Sequence, residues 1–147
     1  MLKFRTLLSK ESVLIKKASG PFEVKLTPRP DSDTTKSAKF GGMLIDKEYI
    51  GGLQGKGKGE MLTAMTDIAG SGVYVAIEKF TGTLDGRKGS FVIQHSGVMT
   101  RGVPHLVITV VPDSGTDELT GISGSMTIEI AEGKHSYIFE YVLPNTH

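Results

Sequence analysis

The sequence contains no cysteine. Without thiols the chain cannot form disulfide bridges, bind zinc through thiolates or use a cysteine nucleophile. Net charge is also nearly absent, since 17 lysine and arginine residues oppose 16 aspartate and glutamate residues. No global electrostatic field is therefore available to hold a polyanion, and neither nucleic acid nor an anionic membrane surface is an expected partner.

Long apolar runs are missing as well. No segment approaches the roughly 20 apolar residues that span a bilayer. Lysine and arginine recur through the start, MLKFRTLLSKESVLIKKASG, and interrupt any stretch of signal-peptide length. We therefore expect a cytoplasmic protein with a short irregular or helical leader at residues 1–20. Residues 21–147 are expected to form one domain, because a chain of 147 residues fits a single core.

Helical periodicity is absent after Gly20, and 19 glycines interrupt the segments that might otherwise wind into helices. Alternation of apolar and polar residues, bounded by turn residues, instead predicts eight strands. Two of them form a hairpin about Asp85-Gly86. The other six are residues 22–26, 39–45, 53–65, 106–111, 125–130 and 135–143. Residues 29–37, rich in proline and polar side chains, are predicted to be a surface loop.

Eight mostly antiparallel strands joined by short turns must protect their sheet edges, and closure into a barrel does so. The interior of an eight-stranded barrel is just wide enough to be filled by side chains or to hold one small ligand. We therefore predict an all-β protein with a single closed eight-stranded barrel. A two-sheet sandwich is the alternative, and the two architectures differ in whether the first and last strands pair.

The stretch VYVAIEKFTGTLDGRKGSFVIQHSGVMTR, residues 73–101, predicts a long β-hairpin. Its Asp-Gly pair favours a two-residue type I′ turn, in which both residues need φ > 0. Counting outward from this turn pairs Phe80 with Phe91, Glu78 with Ile93, Ala76 with His95 and Tyr74 with Gly97. We expect this face to point into the barrel because it gathers the aromatic side chains.

Glu78 and Tyr74 are both diagonal neighbours of His95 on this face, and the three are the candidate catalytic residues. A carboxylate can tune the pKa of an imidazole, and a phenol can donate to a developing oxyanion. A structural explanation is equally available, in which a buried glutamate satisfies the hydrogen bond of a histidine. The residues expected to contact a ligand are Phe80, Phe91, Ile93, Met61, Met99 and Arg101.

The segment GGLQGKGKGEM combines glycines with lysines, as phosphate-binding loops do. Such a loop must lead into the N-terminus of a helix, and no helix is predicted after it. We therefore expect a strand whose glycines face the crowded interior. By the same alternation Lys56, Lys58 and Glu60 face water.

The remaining reactive residues do not form recognisable sites. The four histidines have no metal-ligand spacing and the chain has no CxxC or HExxH motif, so neither a metal nor a cofactor is expected. Ser114 lies in a turn-rich segment without a GxSxG motif. In the last hairpin Glu140 is predicted to be exposed. The opposite face is predicted to be core and comprises Met126, Ile128, Ile130, His135, Tyr137, Phe139 and Tyr141.

Four runs carry a resemblance to a known family: KGEMLTA, GVYVAIEKFTGTLDGRKGSFVIQHSGVMTRG, VVPDSGTDELTGISGSMTI and GKHSYIFEY. Together they resemble an uncharacterised bacterial family, a domain of unknown function grouped by shape with the allene oxide cyclase-like β-barrels. The resemblance extends from about residue 22 to residue 143 and implies a barrel. It also implies homo-oligomers that associate through their outer walls. It implies no activity, and no motif allows the cyclase's functional residues to be carried over.

Three functions are consistent with the sequence. The first is a binding module that holds a small, mostly apolar molecule, oriented by Tyr74, Glu78 and His95. The second is an isomerase or cyclase-type enzyme in which His95 or Glu78 moves a proton and Tyr74 stabilises an oxyanion. The third is a structural or assembly protein whose barrel is filled solid.

Overall fold

The computed structural model describes residues 14–144, which form eight antiparallel strands. The strands are β1 (Lys16–Pro28), β2 (Phe40–Tyr49), β3 (Leu53–Met65), β4 (Gly72–Leu84), β5 (Arg87–Thr100), β6 (Val103–Val110), β7 (Ser123–Ala131) and β8 (Lys134–Val142). One short helix, α1 (Asp33–Ala38), precedes β2, and a single 3-10 turn (Asp117–Leu119) precedes β7. Neither helix within residues 14–144 has the length and apolar character needed to cross a bilayer.

The first and last strands pair, and this closes the barrel. Phe22 of β1 lies opposite Tyr49 of β2 on one side and opposite His135 of β8 on the other. The prediction of a closed barrel is thereby confirmed and the sandwich is excluded. Closure satisfies the backbone groups that a first and a last strand of an open sheet would leave unpaired.

The central hairpin has the predicted register. All four pairs counted from the turn are present, from Phe80 with Phe91 out to Tyr74 with Gly97. Asp85 and Gly86 both have positive φ, 48° and 86°, as a type I′ turn requires. The local turn chemistry therefore fixed which residues of β4 and β5 share a face.

Two local predictions differ from the structure. Residues 33–38 of the predicted surface loop form α1, which begins at a Ser32 cap bonded reciprocally to Thr35 and buries no side chain. A helix without a buried face leaves no apolar periodicity in the sequence. Residues 1–13 of the predicted leader lie outside the described residues, and its residues 16–20 belong to β1.

Aromatic side chains fill the half of the barrel near the Asp85-Gly86 turn, which we call the closed end. Each of them is at most 5% exposed: Phe22, Tyr49, Phe80, Phe91, Tyr137, Phe139 and Tyr141. Leu119 and Ile122 from the loop between β6 and β7 pack against this core. The predicted core face of the last hairpin is correct except at Ile130, which is 67% exposed beside the β7–β8 turn.

The opposite, open end of the barrel is incompletely sealed between β6 and β7. These strands pair only at Ile108 with Met126 and at Thr109 with Ser125. Toward the open end they separate, and Val103 and Ile130 are 68% and 67% exposed. The barrel therefore has a closed end filled by side chains and an open end at which β6 and β7 are not hydrogen-bonded to each other.

Candidate functional site

A buried group of ionisable side chains lies one layer above the aromatic core, toward the open end. We call Lys47, Tyr49, Glu78 and His95 the charged cluster. Glu78 is fully buried, and its Oε1 accepts hydrogen bonds from Lys47 Nζ at 2.9 Å and from His95 Nε2 at 3.0 Å. The Tyr49 hydroxyl donates to its Oε2. One carboxylate on β4 thus holds three donors, two from β2 and one from β5.

Lys47 is the cationic member of the charged cluster and is only 6% exposed. Its ammonium lies 5.0 Å from the centre of the Phe22 ring and 5.7 Å from that of Tyr49, positions at which the ring faces attract a cation. An isolated buried charge is costly, so the Glu78 carboxylate is the partner that makes its burial tolerable.

The prediction from sequence found Glu78 and His95 but missed Lys47 and Tyr49. The strand predicted at residues 39–45 ends too early, since β2 continues to Tyr49. The signal was present, because Ile45, Lys47 and Tyr49 alternate with Asp46 and Glu48 and so continue the period of two. A lysine in the inward series contradicts the usual apolar pattern, and only its partner Glu78, two strands away beyond the glycines of β3, explains it.

Glycines on β3 provide the space for the Glu78 carboxylate. Gly57 is buried beside it, and a Cβ placed there would lie 2.0 Å from Glu78 Oε2 and 2.9 Å from the Tyr49 ring. The prediction that the glycines of this strand face the crowded interior is confirmed. Lys56, Lys58 and Glu60 alternate with them and are exposed, as predicted.

The charged cluster favours the ionised form of Glu78. Burial alone raises the pKa of this carboxyl, but the hydrogen bond from His95, the charge of Lys47 and the bond from Tyr49 outweigh it and lower the pKa below its usual value. Burial and the adjacent carboxylate raise the pKa of the Tyr49 phenol, which therefore remains a donor. A carboxylate held by three donors is a weak proton acceptor, and this geometry favours a positioning role for Glu78.

The lowered pKa of Glu78 predicts a particular pH dependence of stability. A carboxyl whose folded pKa lies below its unfolded value of about 4.3 stabilises the protein above that value and loses the contribution as pH falls through the folded pKa. We expect the difference in unfolding free energy between wild type and Glu78→Gln to be constant from about pH 7 to 5 and to shrink below about pH 4. Urea unfolding at each pH measures it, and an unchanged difference at acidic pH would contradict the assignment.

Tyr74 lies beside the charged cluster without joining it. Its ring centre is 6.4 Å from that of His95, and within residues 14–144 its hydroxyl has no hydrogen-bond partner. Its ring covers Gly97, where a Cβ would lie 2.3 Å from a ring carbon. Burial, followed by the charge of Glu78, raises the pKa of the Tyr74 phenol, which is therefore protonated at neutral pH.

Tyr74 also lines an apolar cleft of about 260 Å³ at the open end of the barrel. Its apolar lining residues include Met61 and Met65 of β3, Met99 of β5 and Leu106 of β6. No aspartate, glutamate, lysine or arginine lines the cleft. Its titratable lining residues are Tyr74 and His105. Among residues 14–144 no three histidine, aspartate or glutamate side chains are grouped so that they could hold a metal ion.

The structure divides the residues predicted for the site into four groups. Tyr74, Met61 and Met99 line the cleft, whereas Glu78 and His95 lie in the charged cluster and not among the lining residues. Phe80, Phe91 and Ile93 belong to the closed aromatic core, and their predicted contact with a ligand stays a prediction. Arg101 lies exposed in the β5–β6 turn, with φ of 46°, and does not line the cleft either.

The predicted turn role of Ser114 agrees with its contacts. Its hydroxyl donates to the carbonyl of Val111 at 2.7 Å and accepts from the amide of Val92 at 3.0 Å. Glu140, predicted to be exposed, is exposed on β8. Neither residue approaches the charged cluster or the cleft by these contacts.

This architecture defines a closed eight-stranded antiparallel β-barrel protein with one filled end and one open end. Residues 18–141 match the family model described as protein of unknown function (DUF3224), and the chain belongs to that family. A crystal structure of a DUF3224 protein of unknown function from Shewanella oneidensis MR-1 is similar at 46% identity and a TM-score of 0.84. The similarity covers 90% of this chain and all of that one. No curated protein matches the sequence.

These comparisons confirm the resemblance to an uncharacterised bacterial family. They leave the grouping with the allene oxide cyclase-like barrels as a prediction. Since neither the family nor the Shewanella protein has a stated activity, the function must be inferred from the cleft and the charged cluster.

Proposed function

We propose that the barrel binds a small, uncharged and mostly apolar molecule in the cleft at its open end. The cleft itself carries this proposal, because it is an apolar concavity lined by methionine and leucine beside a single phenol. Methionine side chains adapt to irregular shapes, and three of the lining residues are methionines. A ligand with a large hydrophobic body and one hydrogen-bonding group matches this lining.

Tyr74 is the polar contact that orients the ligand in this proposal. Tyr74 lines the cleft, its hydroxyl has no hydrogen-bond partner within residues 14–144, and its raised pKa keeps the phenol protonated. A protonated phenol donates one hydrogen bond, which fits a carbonyl, ether or hydroxyl oxygen on the ligand. The charged cluster acts indirectly. Its His95 ring is held by Glu78 and lies next to the Tyr74 ring, with 6.4 Å between the ring centres.

The isomerase or cyclase-type alternative is less well supported. It requires Glu78 or His95 to exchange a proton with the substrate. Glu78 has no exposed surface, and the His95 Nε2 already faces the carboxylate at 3.0 Å. A general acid or base must come within hydrogen-bond reach of its substrate, directly or through one water.

The binding proposal is tested by titration with N-phenyl-1-naphthylamine, a neutral apolar dye whose fluorescence rises in apolar surroundings. We expect saturable binding to wild type, and at least about a tenfold weaker Kd for Leu106→Asp, because a carboxylate in the cleft must lose hydration. Thr127→Asp adds the same charge on exposed β7 and should bind as wild type does.

A second control separates the cleft from the outer surface of the barrel. Val75→Lys introduces a charge on the outside of β4, where Val75 is 49% exposed, and should leave dye affinity unchanged. Binding that is lost in Val75→Lys but retained in Leu106→Asp would overturn the proposal, as would the absence of saturable binding to wild type. If the dye binds in the cleft as expected, mass spectrometry of molecules extracted from the purified protein is the experiment that identifies the natural ligand.

A further inference from the structure

An extended apolar surface covers part of the outside of the barrel. The face of β4 opposite Glu78 carries Val73, Val75 and Ile77, and the structure points these residues outward. With neighbours on β3, β5 and β6 they form what we call the apolar wall. Its members are Leu62, Val73, Val75, Ile77, Val98 and Val107, each between 40% and 65% exposed.

The strand register makes the apolar wall continuous. Val75 lies opposite Leu62 on β3 and opposite Ser96 on β5, and Ser96 lies opposite Val107 on β6. Val73 and Val98 form the next outward pair toward the open end. Directly paired residues on one face of a sheet are in contact range, and Ile77 follows Val75 on the same face of β4, so the six side chains form one patch.

The outer surface of β1, β2 and the part of β3 toward the closed end is charged. There Lys25 lies opposite Asp46, and Asp46 lies opposite Lys58. In the same region Lys56 and Glu48 form an exposed ion pair at 3.7 Å. The apolar wall is therefore a local feature and not the general character of the outside.

We propose that the apolar wall is the core of a face-to-face dimer of two copies of this chain. The exposed area of its six side chains is on the order of 450 Å², at the scale of the largest patch on an ordinary monomer. A standard interface buries roughly 800 Å² on each partner, with an apolar centre and a polar rim. The apolar wall supplies about half of that area and all of the apolar centre.

A second copy is the occupant that the chemistry of the wall fits. In a two-fold dimer the same patch faces itself, so any charge within it would meet a like charge. The wall contains none, and Ser96 is the polar residue at its middle. At its rim Glu60, which also pairs with Arg29, and Lys79 have opposite signs and can face each other across a two-fold axis.

This dimer uses the faces of the barrels and not their edges. Because β1 pairs with β8, the sheet has no terminal strand for a second copy to extend. The interface lies on the outside of the barrel, and two members of the apolar wall, Val73 and Val98, also line the cleft at its open end.

Sedimentation velocity of the full chain between about 1 and 100 μM tests the proposal. Wild type is expected to be a dimer at the upper concentration. Val75→Lys should weaken association at least about a hundredfold, because two ammonium groups would meet near the axis. The matched control Thr127→Lys, on exposed β7, should remain dimeric, and thermal unfolding confirms that both variants are folded. A wild type that is monomeric throughout would overturn the proposal.

The absence of native cysteine allows the interface to be located directly. Single spin labels at Gln94→Cys, beside the apolar wall, and at Thr127→Cys should give a shorter interprotein distance at Gln94. A dimer that survives Val75→Lys, or one in which the Thr127 labels are closer, would place the interface elsewhere and overturn the proposal.

Discussion

Replacing Glu78 by glutamine is expected to lower the unfolding free energy by about 3 kcal/mol, because it leaves the buried Lys47 ammonium without its countercharge. Glutamine has nearly the same shape, so the change isolates the charge from the packing. The Glu78 carboxylate is fully buried and receives three donors, whereas an amide cannot accept as strongly from a cation. Urea unfolding at neutral pH measures the loss.

Two comparisons distinguish this explanation from a general effect of substitution. Glu60→Gln removes a carboxylate whose ion pair with Arg29 is exposed, and it should change stability by no more than about 0.5 kcal/mol. Adding Lys47→Met to Glu78→Gln removes the unpaired cation and should restore part of the loss. If Glu78→Gln were as mild as Glu60→Gln, the charged cluster would not contribute to stability as described.

Gly57→Ala is expected to cost about 3 kcal/mol, at the upper end of the range for overpacked cores. The new methyl group would lie 2.0 Å from Glu78 Oε2 and 2.9 Å from the Tyr49 ring, and both neighbours are held in the charged cluster. The carboxylate would have to leave its present position and with it the Tyr49 hydroxyl. Chemical denaturation measures the cost.

Gly42→Ala on β2 is the matched control for this prediction. Its nearest neighbours would be Cδ of the flexible Arg29 side chain at 3.2 Å and Cβ of the same residue at 3.3 Å, so a small shift relieves the contact. We expect a change within about 0.5 kcal/mol at this partly exposed site. Equal costs for the two glycine variants would indicate that strand propensity, and not the space beside Glu78, decides the effect.

Prediction from sequence succeeded for the hairpin of β4 and β5 because the information there is local. An Asp-Gly turn fixes the register, and a period of two then assigns every residue to a face. Such counting places Glu78 and His95 on one face of the hairpin and Glu60 on the opposite face of β3 from Gly57. The same counting could not decide which face of the hairpin was inside, since both faces carry apolar residues.

The contacts missed by the sequence prediction are those between distant strands. Lys47 lies 31 residues from Glu78 along the chain. Nothing in the local pattern of β2 indicates that a carboxylate on β4, two strands away, pairs with this lysine. The packing of Phe80, Phe91 and Ile93 in the closed core could not be predicted for a related reason. Facing inward is a property of one strand, but whether the interior is filled at that level depends on residues such as Phe139 from another.

By itself the sequence determined the strands, the central turn and which residues of each strand share a face, because turn geometry and the two-residue period act within a few residues. It also carried the family resemblance. The tertiary structure decided the closure through β1 and β8, the division into a filled and an open end, and the assembly of the charged cluster. It also decided that the apolar wall lies outside. These features depend on which strands meet across the barrel, and packing between distant segments alone selects that.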